Sequence, residues 1–151
     1  MRCRPGCSRQ SAYRHAGLVS IDGRGVLILG AARSGKSALA LCLIRLARRE
    51  GRQAALVADD QVLLRRDGDR LVGASPAAIA GLLEISGVGI VAQANLREAE
   101  IFLVVSLSPE PPRLPDQPTT ELCGLSIRQV HLHSREAVSY THLTLPTILL
   151  V

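Results

Sequence analysis

The sequence predicts an α/β domain built on a mixed sheet, and three observations support this fold class. An apolar run at 26–29 leads into a glycine-containing loop, and an apolar helix-like run at 38–44 follows the loop. Short apolar runs separated by Asp-Gly pairs occur before and after this unit, which is typical of hairpins. Hydrophobic residues make up 47% and charged residues 21% of the 151 residues, a balance that fits one globular domain.

The loop between the strand and the helix matches the pattern G-x-x-x-x-G-K-[ST] of a P-loop. Two glycines let backbone N–H groups surround a polyphosphate, the lysine reaches the β- and γ-phosphates, and the hydroxyl ligates Mg²⁺. Lys36 is the only lysine among 18 basic residues, and its ammonium is the compact charge that phosphate binding uses. The sequence therefore predicts a P-loop kinase-like mixed sheet. The predicted phosphate loop is Gly30-Ala31-Ala32-Arg33-Ser34-Gly35-Lys36-Ser37.

The other elements are predicted from the same kind of local pattern. Residues 1–13 are expected to form a flexible N-terminal arm. The helix after the loop is expected from about residue 35 to 49, because Gly51 follows it. The apolar segment at 82–90 contains one acid and two glycines. Strands are predicted at 16–21, 26–29, 54–58, 62–66, 70–72 and 101–107, with one or two more within 122–132.

Acidic residues at one strand end are the first candidates for completing a site. The run 54–58 ends in Asp59 and Asp60, whereas the run 101–107 ends without an acid. One carboxylate of such a pair can hold Mg²⁺ while the other accepts a proton from an attacking hydroxyl. The alternative is an Asx turn between two strands. Next to a phosphate loop, we favour the site.

Glu84 and His15 are further candidates for the site, but the local sequence pattern alone does not decide whether their roles are functional or structural. Glu84 is either a residue at a strand edge facing water or a metal ligand close to Gly87 and Gly89. His15 precedes the first predicted strand, where a lone histidine is more often a surface or structural residue than a catalytic one.

Composition argues against several other classes of protein. The net charge of +5 comes from dispersed arginines and aromatic residues are 2%, so we expect no nucleic-acid partner. No long apolar run occurs near the basic N-terminus, so we expect neither a signal peptide nor a membrane span. The four cysteines form no C-x-x-C pair, which favours a reducing, cytoplasmic location without disulfides or zinc.

In chain order, four features resemble the catalytic domain of HPr kinase/phosphorylase. They are His15, the phosphate loop, Leu56-Val57-Ala58-Asp59-Asp60 and Glu84-Ile85-Ser86-Gly87-Val88-Gly89-Ile90. The similarity covers about residues 14–133, and it is greatest to the short proteobacterial form without an N-terminal regulatory domain. The resemblance implies an ATP-dependent kinase that phosphorylates a seryl residue of HPr or a related phosphocarrier of the phosphotransferase system. A reverse phosphorylase reaction is also implied.

The resemblance also implies a role for each candidate residue. Residues 30–37 would bind ATP, with Lys36 on the phosphates. Asp60 would accept the seryl proton and return it in the reverse reaction, and His15 would be an active-site residue near the phosphates. The Mg²⁺ ligands implied are Ser37, Asp59 and Glu84.

The chain departs from the family pattern at three places. Ser86 stands where the family usually has arginine, which removes a bidentate phosphate contact, so we expect weaker catalysis or phosphorolysis. The family's Pro-Gly-Arg-Asn segment has no counterpart, which leaves phosphorylase activity and formation of a homo-oligomer open. Residues 14–138 are therefore interpreted as the catalytic domain. The tail at 139–151 resembles translated sequencing-adapter sequence and is interpreted as an artefact.

Two alternative functions remain at the level of sequence. One is a P-loop kinase for a small molecule, which would need a lid, and no arginine-rich lid is visible. The other is a degenerate nucleotide-binding module without catalysis, which the Ser86 departure makes a real alternative.

Overall fold

The computed structural model describes residues 12–76, 82–85, 89–92, 96–109 and 118–134. Residues 1–11 of the predicted arm, Ser86 and the tail at 139–151 lie outside the described residues. Within the described ranges there are ten strands and one helix, and that helix is too short and too polar to cross a membrane. They are β1 (Ala12–Ile21), β2 (Arg24–Leu29), α1 (Lys36–Arg49), β3 (Ala54–Ala58), β4 (Gln61–Asp67), β5 (Arg70–Ala74), β6 (Leu82–Ile85), β7 (Gly89–Ala92), β8 (Glu98–Ser108), β9 (Thr119–Leu122) and β10 (Leu125–His133).

The central sheet is mixed and runs in the order β3-β1-β2-β8-β10-β9. Strands β2, β8 and β10 are parallel, whereas β1 is antiparallel to both β2 and β3. Because β1 reverses direction between them, β3 points the same way as β2. The carboxyl ends of β3, β2, β8 and β10 therefore meet at one edge of the sheet, and the loop at 30–37 lies at that edge.

The β4–β5 hairpin closes one face of this sheet. The first half of β1 pairs with β4, and β5 pairs with the first residues of β8. Since β2 pairs with both β1 and β8, the strands β2, β1, β4, β5 and β8 form a closed ring. These pairings connect each strand of the ring to its neighbours by backbone hydrogen bonds, and apolar side chains fill the interior. Buried members of this core include Leu18, Leu27, Val62, Leu64, Leu71, Ile101 and Val104.

Helix α1 covers the opposite face. Its buried residues recur at the spacing of one helical face, and the last turn carries Arg48 and Arg49, whose charges suit a helix C-terminus. The chain leaves the helix through Glu50 and Gly51, and Gly51 adopts a positive φ of 78°. The helix thus packs the C-terminal end of the loop at 30–37 onto the sheet. The helix contributes Leu39, Ala40, Leu43, Ile44 and Ala47 to a core shared with β1, β2, β3 and β8.

The mixed α/β sheet and its hairpins are confirmed, and the element bounds need correction. Strand β1 begins at Ala12, four residues before the predicted start, because its first half pairs with β4. Strand β8 is also longer than predicted, since Glu98–Glu100 pair with β5. The apolar segment at 82–90 contains β6 and the first residues of β7, which pair with each other in a separate two-stranded sheet.

Candidate active site

The loop at 30–37 is a tight connection between the buried strand β2 and the start of α1. A Cβ atom on Gly30 would collide with the Ser34 hydroxyl and would lie 3.1 Å from the Cβ of Leu107, so only glycine fits there. Gly35 has a φ of 96° and precedes the first residue of the helix. The Ser34 N–H donates to the Ala31 carbonyl at 3.1 Å. Close packing therefore fixes the path of the backbone around the loop.

Lys36 is the buried cation of this loop, with 8% of the residue exposed. Its ammonium donates to the carbonyls of Gly30 and Ala31, both at 2.9 Å, and to His15 Nε2 at 3.4 Å. Burial lowers the pKa of Lys36 below the ordinary value, and the charges of Asp60 and Asp59 act against that shift. The side chain therefore bends back over its own loop, and all three ammonium protons have an acceptor.

His15 connects the lysine to an acid. Its Nδ1 lies 3.0 Å from Asp60 Oδ1, while its Nε2 accepts from Lys36. A carboxylate only accepts and an ammonium only donates, so this pattern assigns a neutral imidazole with its proton on Nδ1. Lys36, His15 and Asp60 thus form one continuous chain of hydrogen bonds.

Asp60 lies in a tight turn that directs its side chain toward His15. The Gln61 N–H donates to the Asp59 carbonyl at 2.9 Å, and Asp60 between them has a φ of 72°. This is a γ-turn of the rare, strained kind with positive φ, and aspartate is among the residues that tolerate it best. The Asp60 carbonyl accepts from the Ala16 N–H at 3.0 Å, which ties the turn to the residue after His15.

The first acid of the pair points to the helix instead. Ser37 Oγ donates to Asp59 Oδ1 at 2.9 Å, and Asp59 is buried with 6% of the residue exposed. Adjacent residues in a γ-turn thus send their carboxylates to two places. Asp59 lies against the first turn of α1, and Asp60 lies against β1.

The site has a buried part and an exposed part. Lys36 and Asp59 are buried, whereas the side chains of His15 and Asp60 are 51% and 62% exposed. The buried part suits a small charged ligand, and the exposed part is accessible to a second, larger reactant. In addition, Ser34 Oγ is buried without a hydrogen-bond partner among the described residues. An unpartnered hydroxyl inside a loop rich in N–H groups is compatible with a polyanion as its partner.

The described residues offer one pair of candidate metal ligands, Ser37 and Asp59. Among the described residues, no group of three His, Cys, Asp or Glu side chains has the geometry to hold a metal ion. The Ser37–Asp59 pair offers a hydroxyl and a carboxylate, which are donors that Mg²⁺ accepts. Glu84 lies in β6, whose backbone has Cα atoms within 8 Å of α1, but its side chain lies outside the described residues.

Most sequence-predicted site residues with described side chains lie together. Two hydrogen-bonded groups contain five of them: one joins Lys36, His15 and Asp60, and the other joins Ser37 and Asp59. The loop itself is shaped by Gly30, Ala31 and Gly35. Ala32 and Arg33 are exposed at its tip, where Arg33 has a φ of 63°. Sequence reasoning missed Ser134, whose carbonyl lies 3.5 Å from a Cβ placed on Gly35. No local signal in the sequence marks that approach, because it depends on the placement of β10 beside β8.

Sequence comparison identifies the family. Residues 8–142 match the model of the HPr Serine kinase C-terminal domain. The chain belongs to this family. The HPr kinase/phosphorylase of Lactobacillus acidophilus is 36% identical over 132 residues, which cover 78% of this chain and 39% of that protein. The HPr kinase/phosphorylase of Halalkalibacterium halodurans is 51% identical over 78 residues, covering 51% of this chain and 23% of that protein.

A solved structure shares the fold of this family member. The Hpr(Ser) kinase/phosphatase from Coxiella burnetii has a TM-score of 0.67 and 27% sequence identity. The match covers 91% of this chain and 98% of that one. The curated relatives above are longer, since the chain spans well under half of their length.

Proposed function

We propose that the chain is an ATP-dependent protein-serine kinase that phosphorylates a seryl residue of HPr or a related phosphocarrier. The observation that carries this proposal is the hydrogen-bonded chain from Lys36 through His15 to Asp60. It joins a buried cation suited to phosphate with an exposed carboxylate suited to a hydroxyl. Membership of the HPr serine kinase family supports the choice of a protein serine as acceptor.

In this proposal, the loop at 30–37 is a P-loop that holds the triphosphate of ATP. Lys36 would exchange the carbonyls of Gly30 and Ala31 for phosphate oxygens when a nucleotide binds. The amide groups at the start of α1 and the helix dipole would hold the remaining charge. The unpartnered Ser34 hydroxyl supports the presence of a polar ligand here.

Ser37, Asp59 and Glu84 are the proposed residues for Mg²⁺. Bound Mg²⁺ would neutralise charge on the phosphates and help orient them. The Ser37–Asp59 hydrogen bond supports this assignment, because it brings a hydroxyl and a carboxylate to the N-terminus of the helix next to Lys36. A magnesium ion that is also held by phosphates needs only one or two protein carboxylates.

Asp60 is the proposed proton acceptor for the seryl hydroxyl. Its carboxylate is exposed, as attack by a serine of another protein requires, and His15 Nδ1–H holds one of its oxygens. The second oxygen is then available to the incoming hydroxyl, and Lys36 stabilises charge on the phosphoryl group as it transfers. In the reverse reaction, the protonated Asp60 would return its proton to the serine, which gives the chain a route to phosphorylase activity.

A transfer assay tests this proposal directly. The protein is incubated with labelled ATP, Mg²⁺ and purified HPr, and label on the carrier's serine is measured. We expect transfer by the wild type, loss of at least about 100-fold in Asp60→Asn, and retained ATP binding in that variant. Asp69→Asn is the matched control, because Asp69 is an exposed aspartate in the β4–β5 turn, away from the loop. Full activity of Asp60→Asn would contradict the assigned role.

The same assay separates the two alternatives. ATP turnover that depends on an added metabolite but not on HPr would favour a small-molecule kinase. Binding of ATP without any transfer would favour a nucleotide-binding module without catalysis.

A further inference from the structure

Polar side chains stand at the carboxyl ends of β8 and β10, outside the groups used in the proposed reaction. Ser108 and His133 are partners in the last rung between these parallel strands. The Ser134 N–H continues the pairing by donating to the Ser108 carbonyl at 2.9 Å. Side chains alternate between the two faces of the sheet along both strands. Val105, Leu107, Val130 and Leu132 pack under α1, so the pairs Ser106–His131 and Ser108–His133 lie on the other face, with Ser108–His133 at the strand ends.

The ends of β8 and β10 border the loop at 30–37. A Cβ atom on Gly35 would lie 3.5 Å from the Ser134 carbonyl, and one on Gly30 would lie 3.1 Å from the Cβ of Leu107. The loop therefore lies against the ends of both strands. Strands are about 4.8 Å apart in a sheet, so β10 ends roughly 10 Å from β2, to one side of the loop.

The charged groups lie on the opposite side of the loop. Asp59 and Asp60 follow β3, and His15 lies in β1, both of which come before β2 in the order of the sheet. On the other side, residues 105–108 and 129–134 include no Asp, Glu, Lys or Arg. A triphosphate that reacts beside Asp60 has its nucleoside at the far end, and the neutral side is where that end meets no charged side chain of β8 or β10.

We propose that the ends of β8 and β10 form the nucleoside subsite, with the imidazole of His133 stacked on the base. This inference rests on the proposed function, because it requires a nucleotide in the loop at 30–37. A partly exposed imidazole offers a flat face to a base, and ligands of sheets with parallel strands bind outside the strands' carboxyl ends. His133 is therefore a specificity residue for the nucleotide rather than a participant in phosphoryl transfer.

Titration calorimetry with two ligands tests the subsite. MgATP and magnesium tripolyphosphate, which has no nucleoside, are titrated into the full chain and its variants. In the wild type, MgATP is expected to bind more tightly than tripolyphosphate. In His133→Ala, the Kd for MgATP should rise about tenfold, the size of one lost stacking contact, with the Kd for tripolyphosphate unchanged.

Two further variants make the result specific. His133→Phe keeps a flat ring and should restore most of the affinity for MgATP. His131→Ala is the matched control, because His131 lies two residues earlier on the same face of β10, next to Ser106, and should bind both ligands like the wild type.

Each other outcome would overturn the inference. Equal MgATP affinity in the wild type and His133→Ala would show that His133 makes no contact with the nucleoside. Equal losses of affinity for both ligands would show the same, and either result leaves the proposed function intact. Equal binding of both ligands to the wild type would show that no nucleoside subsite exists. If neither ligand binds the wild type, the proposed function fails together with the inference.

Discussion

His15 Nδ1 lies 3.0 Å from Asp60 Oδ1, although the two residues are 45 positions apart in the sequence. The contact exists because β1 changes partners along its length. Its second half pairs with β3 and its first half with β4, and the Asp59–Asp60 turn lies at the junction. The register partner of His15 is Gln61, the residue directly after Asp60. The sheet itself therefore sets the distance between imidazole and carboxylate.

Replacing His15 should separate binding from transfer. In His15→Ala, Asp60 and Lys36 lose the group that holds them in line, so we expect phosphoryl transfer at saturating ATP to fall about 100-fold. The Kd for MgATP should change by less than about threefold, because the variant keeps Lys36, the proposed phosphate contact. Single-turnover transfer to HPr and calorimetry of ATP binding provide the two measurements.

His15→Asn gives a conservative comparison for that variant. An asparagine amide can donate to Asp60 and accept from Lys36, so part of the lost rate should return. A wild-type rate in His15→Ala would show that the hydrogen-bonded chain has no part in transfer.

The lowered pKa of Lys36 predicts a limit at alkaline pH. Burial is the main cause of that shift, so the ammonium loses its proton at a lower pH than the ordinary value of 10.5. Affinity for MgATP should therefore decline as the pH rises through the lowered pKa. Lys36→Arg should bind more weakly but show no such decline, since a guanidinium stays protonated. Calorimetry over a series of alkaline buffers makes the comparison, and equal pH profiles would contradict it.

The lowered pKa of Lys36 has the opposite effect on the free energy of unfolding. Between the lowered pKa and 10.5, the unfolded chain binds more protons at this lysine than the folded chain does. The contribution of Lys36 to the free energy of unfolding should therefore increase as the pH rises through that window. Binding and stability thus move in opposite directions, which distinguishes this titration from general alkaline unfolding.

Gly35 and Gly51 offer a matched pair at the two ends of α1. Both have positive φ, 96° and 78°, so an alanine at either position strains the backbone by about 1–3 kcal/mol. Gly35→Ala should also lose ATP binding, because its strain alters the loop proposed to hold the phosphates. Gly51→Ala should keep that binding, since nothing lies within 4 Å of its added Cβ. Denaturant unfolding and calorimetry measure both effects, and loss of binding in Gly51→Ala would remove the distinction.

Local patterns were sufficient for the strand-loop-helix unit and for the acids after β3. The helix has a single buried face, and the strand before it is a continuous apolar run, so neither depends on distant contacts. The pair Asp59–Asp60 stood out because it ends such a run. These features can be identified from spacing because each depends on residues that are adjacent in the sequence.

The remaining features depend on how distant strands pair. The longer β1, the closed ring of β2, β1, β4, β5 and β8, and the approach of Ser134 to Gly35 all arise from pairings across many residues. The divergence of the two carboxylates also required the γ-turn at Asp60, since two adjacent acids show no preferred direction in sequence. Sequence spacing therefore predicted which residues are candidates for the site, and the pairing of the strands determined how these residues meet.

Asp59 and Asp60 should respond differently to loss of charge. Asp59→Asn keeps an oxygen that accepts from Ser37 but removes the negative charge proposed to hold Mg²⁺. We expect Mg²⁺ to improve ATP affinity about tenfold in the wild type and in Asp60→Asn, and to give little improvement in Asp59→Asn. Calorimetry of ATP with Mg²⁺ and with EDTA measures this difference. Equal Mg²⁺ dependence in the two variants would mean that the carboxylates do not divide the roles assigned to them. Both substitutions replace a carboxylate by an amide of the same size. A difference in Mg²⁺ dependence between the variants would therefore come from the lost charge and not from a change in the fold.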